Sequence, residues 1–116
     1  PLISFPGDFH VLELFHGPTL SFKDFGARFL ASLLKRWKKQ GEEIIVLTAT
    51  SGDTGSAVGQ AFWAVPGVRV YVLYPKGRVT PAQQQQLTTM GRNIKAIEVD
   101  GSFEQCQDIL KQAVLD

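Results

Sequence analysis

The sequence predicts an α/β fold, a three-layer parallel sheet with alternating helices. Two observations carry that expectation. Three apolar, β-branched runs, Ile44–Ala49, Val68–Tyr74 and Ile94–Val99, are each followed by a helix signal, apolar residues at helical spacing after the first and third and a capped start at Thr80–Gln83 after the second. Glycine, proline or helix-capping residues bound each segment. Strands separated by single helices imply right-handed βαβ units and a parallel sheet.

In chain order, Val11–Phe15 is short and apolar and reads as a strand. Ser21 with Asp24 makes a capping-box pattern and predicts a helix over Phe22–Lys39. Phe25, Phe29, Leu33 and Trp37 recur at every fourth position, which predicts an inward stripe with Leu30 and Leu34 beside it. Lys35, Arg36, Lys38 and Lys39 crowd the helix end, where the dipole favours cations, and read as a solvated face. Gly41 stops this helix. Ile44–Ala49 is continuously apolar, as a buried parallel strand is.

The following helix runs through Val65, with Ala57, Val58, Ala61, Phe62 and Val65 on one side. Gly55 and Gly59, four apart, permit close backbone approach, and Pro66 with Gly67 ends the helix. After the strand Val68–Tyr74, Thr80, Pro81 and Gln83 form a capped start for a helix holding Gln83–Gln86. Gly91 follows it, then the strand Ile94–Val99. Ser102 and Gln105 cap a last helix with Phe103, Cys106, Ile109, Leu110 and Val114 inward.

The 116 residues are one domain's length, enough for a real core. A net charge of +1 points away from nucleic acid and anionic membranes as partners. One cysteine, Cys106, excludes an intramolecular disulfide and a cysteine-based metal cluster, and its place on an apolar helix side reads as core. No apolar run approaches the roughly 18 residues of a membrane span, and no signal peptide is visible. These features predict a soluble, cytoplasmic protein without a metal.

Two segments carry chemistry. Lys23 falls in the first turn of its helix, where the helix dipole disfavours a cation by roughly 0.3–1 kcal/mol. Phe22 and Phe25 flank it and can strip it of water. Both effects favour a neutral, nucleophilic amine suited to Schiff-base chemistry. The same residue also reads as an exposed lysine beside Asp24, whose carboxylate favours the charged form. The second segment is the loop Thr50, Ser51, Gly52, Asp53 and Thr54 between a strand and a helix. Such a loop offers backbone N–H groups to an anion. It lacks the ending of a Walker A motif and the G-x-G-x-x-G of a dinucleotide site, so a carboxylate or small phosphate fits it better. A plain capped helix start reads equally well.

Other polar residues give weaker signals. His16 before Gly17 and Pro18 reads as holding a turn, with an active-site contact as the alternative. His10 has no evident partner. Arg28 lies four residues after Asp24 and predicts an ion pair. Lys76 and Arg78 follow a strand's C-terminal end, where open parallel sheets bind ligands.

Leu14–Gly26 and Leu47–Ala57, continuing through Leu73–Gly77 and Val99–Gly101, resemble the threonine synthases. These are pyridoxal-phosphate enzymes of the tryptophan-synthase-β-like, fold-type II family, and the likeness covers nearly the whole chain in order. It implies that Lys23 is the catalytic lysine that holds pyridoxal 5'-phosphate and later shuttles protons. It implies that Thr50, Ser51, Gly52, Asp53 and Thr54 bind the α-carboxylate of O-phospho-L-homoserine. Many relatives of this fold carry asparagine at the Asp53 position, where it meets the cofactor's ring hydroxyl. The aspartate matches bacterial-type threonine synthases and leaves its protonation state open.

The implied reaction yields L-threonine and phosphate, with phosphate leaving from the γ-carbon and water adding at the β-carbon. Lys76 and Arg78 are candidates for the leaving phosphate. The implied division is residues 1–40, a lysine-bearing strand and helix of the larger cofactor-binding region, and residues 41–116, a smaller mobile α/β domain with the substrate loop. The chain starts at Pro1 and ends in a helical pattern, which predicts a fragment of a two-domain enzyme, inactive by itself. The cup for the cofactor phosphate lies later in such enzymes. Two rival functions remain: a related phospho-lyase on another phosphorylated amino acid, and a non-enzymatic anion-binding α/β domain.

Overall fold

The structure, a computed structural model, describes residues 1–115. The chain opens with an antiparallel hairpin of β1 (Leu2–Phe5) and β2 (Phe9–Leu12). Then come α1 (Lys23–Trp37), β3 (Ile44–Ala49), α2 (Asp53–Phe62), β4 (Val68–Pro75), α3 (Pro81–Thr88), β5 (Ile94–Val99) and α4 (Phe103–Leu115). Strands β3, β4 and β5 form a parallel sheet in that order.

The sheet's two faces follow from the two-residue period of a strand. Val68, Val70, Val72 and Tyr74 alternate onto one face of β4 and are buried there with Phe62 of α2, Leu87 of α3, Ile94 and Ala31 of α1. Leu73 points the other way. On that side α4 packs on β3 and β4, and Cys106 is fully buried. Helices thus cover both faces, with α1 packed on α2, and the three layers are those expected. Burial pushes the Cys106 thiol up from its ordinary range, against a smaller downward pull from a backbone hydrogen bond.

Several expectations need correction. The sequence predicts the first strand at Val11–Phe15; the chain instead turns at Pro6–Asp8, with Gly7 at φ +84° and Asp8 at φ +56°. That turn sets Leu2 opposite Leu12, so pairing sits upstream of the expected segment. His10 does have a partner, the Ser4 hydroxyl 3.0 Å across the hairpin.

The stripe on α1 faces outward: Phe25 is 51% exposed, Phe29 66% and Trp37 69%. The residues of α1 that turn inward are Ala31 and Leu34, which join the core with Phe62 of α2, and Asp24, which is buried against Gly17 and Thr19. On α4, Ile109 and Val114 are likewise exposed. Helix α1 stops at Trp37, before Gly41.

Helix α2 ends at Phe62 rather than Val65, and Asn93 shows why. Its side-chain amide donates to the carbonyls of Phe62 and Val68, both at 2.9 Å, and its oxygen accepts the Ala64 N–H at 2.8 Å. Ala64 turns left-handed there, at φ +56°. The Asn93 side chain therefore closes α2 and ties it to the strands on either side. We expect Asn93→Ala to destabilise the fold by about 2 kcal/mol, since it strands several backbone groups whose net hydrogen bonds are each worth roughly 0.5–1.5 kcal/mol. Urea denaturation of the two proteins measures the difference.

Candidate active site

The loop from Gly17 to Phe22 presents Lys23. Gly17 allows the chain to lie against Asp24, since a Cβ at that position would fall onto the Asp24 carboxylate. Leu20 adopts φ +59°, a left-handed conformation that costs a leucine roughly 1–2 kcal/mol. It is held by its N–H donating to the Gly17 carbonyl at 3.1 Å and by the tether beside it. In that tether, Thr19 donates its N–H at 2.9 Å and its hydroxyl at 2.7 Å to the two oxygens of Asp24.

Asp24 is 1% exposed and wholly engaged with Thr19. This overturns three expectations. Asp24 makes no capping box with Ser21; the Ser21 hydroxyl instead accepts the Lys23 N–H at 3.3 Å. Asp24 makes no ion pair with Arg28, nor with Lys23. Lys23 is half-buried, with Nζ 4.7 Å above the centre of the Phe22 ring. Among the described residues no carboxylate pairs with it. His16 accepts a structural place: its ring stacks on Phe15 and its Nε2 bonds Glu13 at 2.6 Å.

The loop after β3 is held from inside by Thr50. The Thr50 hydroxyl, buried, accepts the N–H groups of Gly52 at 3.1 Å and Gly55 at 3.0 Å and donates to the Gly52 carbonyl at 2.8 Å. Gly55 and Gly59 allow the close approach expected of them, against Thr50 with Val72 and against Met90. Around this brace, the N–H groups of Ser51, Asp53 and Thr54 and the hydroxyls of Ser51 and Thr54 have no hydrogen-bond partner among the described residues. They open α2, whose dipole places positive charge at that end. Asp53, the first residue of α2, accepts from Gln83 Nε2 at 3.1 Å. No hydrogen bond or ion pair joins Lys23 to residues 50–54.

The loop and Lys76 with Arg78 lie at the C-terminal ends of β3 and β4, the ligand-binding side of an open parallel sheet. A larger cavity, about 560 Å³, opens at the opposite edge, near Glu43, Arg69 and Asn93. Of its two arginines, Arg69 is paired with Glu43 at 2.7 Å and Arg92 lies over the Trp63 ring, and neither Lys23 nor the loop lines it.

A primary amine free of ion pairs and a separate cluster of unpaired anion donors suit an aldehyde cofactor and an amino-acid carboxylate. The profile of the family described as Pyridoxal-phosphate dependent enzyme matches residues 6–116. The chain belongs to this family. It is 53% identical over 109 residues to a threonine synthase of Buchnera aphidicola subsp. Acyrthosiphon pisum, covering 94% of this chain and 25% of that protein. To the threonine synthase of Escherichia coli K12 it is 47% identical over 116 residues, all of this chain and 27% of that one. The crystal structure of a PLP-bound threonine synthase from Brucella melitensis superimposes with a TM-score of 0.90 at 41% identity, over all of this chain and 25% of that one.

The chain therefore spans about a quarter of the length of the relatives it matches. Among the described residues, no helix is long and apolar enough to cross a membrane, and no cluster of side chains forms a metal site. In this member of the pyridoxal-phosphate dependent enzymes, the Lys23 amine, free of ion pairs, is chemically able to meet an aldehyde. Sequence reasoning missed the Thr50 brace, the strained Leu20 and the partners of Asn93. Leu20 and Asn93 have no signal in the one-dimensional pattern. The Thr50 brace had one: threonine ending a strand before glycines commonly folds back onto the following turn.

Proposed function

We propose that this chain is part of a threonine synthase, converting O-phospho-L-homoserine and water to L-threonine and phosphate in the cytoplasm. The carrying observation is the pair formed by an unpaired Lys23 amine and a strand-to-helix loop with five unpaired donors. Pyridoxal phosphate, held through Lys23, would supply the electron sink for carbanion chemistry. Lys23 Nζ takes and returns the proton at the substrate's Cα, a role that suits an amine without a carboxylate partner.

Ser51, Gly52, Asp53 and Thr54 receive the substrate's α-carboxylate, with Thr50 bracing them from below. Holding that carboxylate fixes the Cα–H bond toward the lysine, an orientation effect of the kind that reaches roughly 7–11 kcal/mol when complete. Asp53 also reaches the cofactor's ring hydroxyl in this reading. In this reading Lys76 and Arg78, exposed beyond β4, meet the leaving phosphate. Residues 41–116 form the unit that closes over the substrate, and residues 1–40 belong with the larger cofactor-binding region.

Phosphate release from phosphohomoserine by the intact enzyme tests the reading. Faster release from O-phosphothreonine would instead favour a phospho-lyase of different specificity. Thr54→Val separates the loop's role from that of the cofactor. It removes one donor hydroxyl, so substrate affinity should fall about tenfold, the value of one hydrogen bond to a charged group. The absorbance of the lysine-bound cofactor should stay unchanged. Lost absorbance with unchanged substrate affinity would reverse the assignment.

A further inference from the structure

We infer that Gln83 is a positioning residue, holding Asp53 away from the loop's free N–H groups so that the substrate carboxylate can occupy them. This rests on the loop's proposed role. The observation is a two-ended bridge. The Gln83 side-chain oxygen accepts the Thr80 N–H at 3.0 Å, while the Thr80 hydroxyl accepts the Gln83 N–H at 3.3 Å. This capping box opens α3 and fixes which end of the amide is oxygen. The NH₂ end is left to face Asp53, which it reaches at 3.1 Å.

Gly52 gives the bridge room, because a Cβ there would crowd Gln83 Nε2 at 3.2 Å. Gly52 itself is extended, at φ −177°, and has no side chain with which to cap α2. Aspartate in the first turn of a helix is attracted to that turn's unpaired N–H groups. Without a restraint, Asp53 would be the nearest anion to the donors of Ser51 and Thr54. It would compete with any incoming carboxylate. Gln83 engages one Asp53 oxygen from α3, thirty residues along the chain, and so keeps the donors open.

The test exploits the dual use of the amide. Gln83→Glu retains an acceptor for the Thr80 N–H, so α3 stays capped. It replaces the donor facing Asp53 with a second carboxylate. In the intact enzyme this change should raise KM for phosphohomoserine about tenfold with kcat within about threefold of the parent, the pattern of lost ground-state binding. The melting temperature should hold. In the protein without cofactor, amide hydrogen exchange at residues 51–54 should change, while exchange in α3 should not.

Adding Asp53→Asn places an amide donor opposite the new carboxylate. Relative to Asp53→Asn alone, Gln83→Glu should then no longer raise KM or alter loop exchange. The inference is overturned if Gln83→Glu leaves KM and loop exchange at their parental values. It is overturned equally if the effect is the same with and without Asp53→Asn, or if α3 itself loosens and the protein melts earlier. If the parent enzyme does not turn over phosphohomoserine, the proposed function fails, and the exchange measurements alone decide the bridge.

Discussion

Lys23→Ala in the intact enzyme should lower turnover of phosphohomoserine by at least about a thousandfold, within the range attributed to a positioned acid–base group. The loss is expected to be larger than for any loop substitution, because one amine both holds the cofactor and moves the substrate proton. The fold should survive. Lys23 makes no salt bridge among the described residues, and its neighbour Asp24 is tied to Thr19, so little depends on the ammonium. Circular dichroism and urea denaturation should therefore match the parent while phosphate release collapses. Parental turnover by the alanine variant, with no added amine, would remove Lys23 from its role.

Gly55→Ala should give the largest structural loss, about 3 kcal/mol in urea denaturation, at the upper end of the overpacking range. A Cβ at Gly55 would stand 2.5 Å from Thr50 Cγ2 and 2.7 Å from Val72 Cγ1. Neither neighbour has room to yield. Val72 is 0% exposed in the centre of β4, and Thr50 is 1% exposed with its hydroxyl making three bonds. Relief must come from moving α2 outward or turning Thr50, and either one disorganises the donors of Ser51 and Thr54. Stability and substrate affinity should fall together. A variant as stable as the parent would show that the helix slides without cost.

The strand–helix alternation was legible because it rests on local chemistry. β-branched runs and caps such as Thr80–Gln83 and Ser102–Gln105 act within a few residues, and both boxes are present in the structure. The hairpin of Leu2–Phe5 and Phe9–Leu12 was not legible: the sequence predicts a strand only at Val11–Phe15 in that region, and a tight turn at Gly7 and Asp8 sets the pairing. The periodicity of Phe25, Phe29 and Trp37 correctly signalled a helix and misassigned its buried face. Spacing shows that a stripe is apolar, not what covers it. Around the site, Lys23 and residues 50–54 stand out by residue type and by family likeness. Their supports do not, since Thr19–Asp24 and Asp53–Gln83 are contacts made only after the chain has folded. Asn93 is the extreme case, an unremarkable polar residue that ends a helix some thirty positions earlier.

The burial of Cys106 makes it a clock for its own helix. Its sulfur is enclosed between α4 and the sheet, and burial keeps it in the thiol form. Alkylating reagents attack the thiolate, so they must wait for α4 to lift. With one cysteine in 116 residues, the chemistry has a single address in this chain. When reclosing outpaces attack, the labelling rate reports the free energy of that local opening, separately from global unfolding.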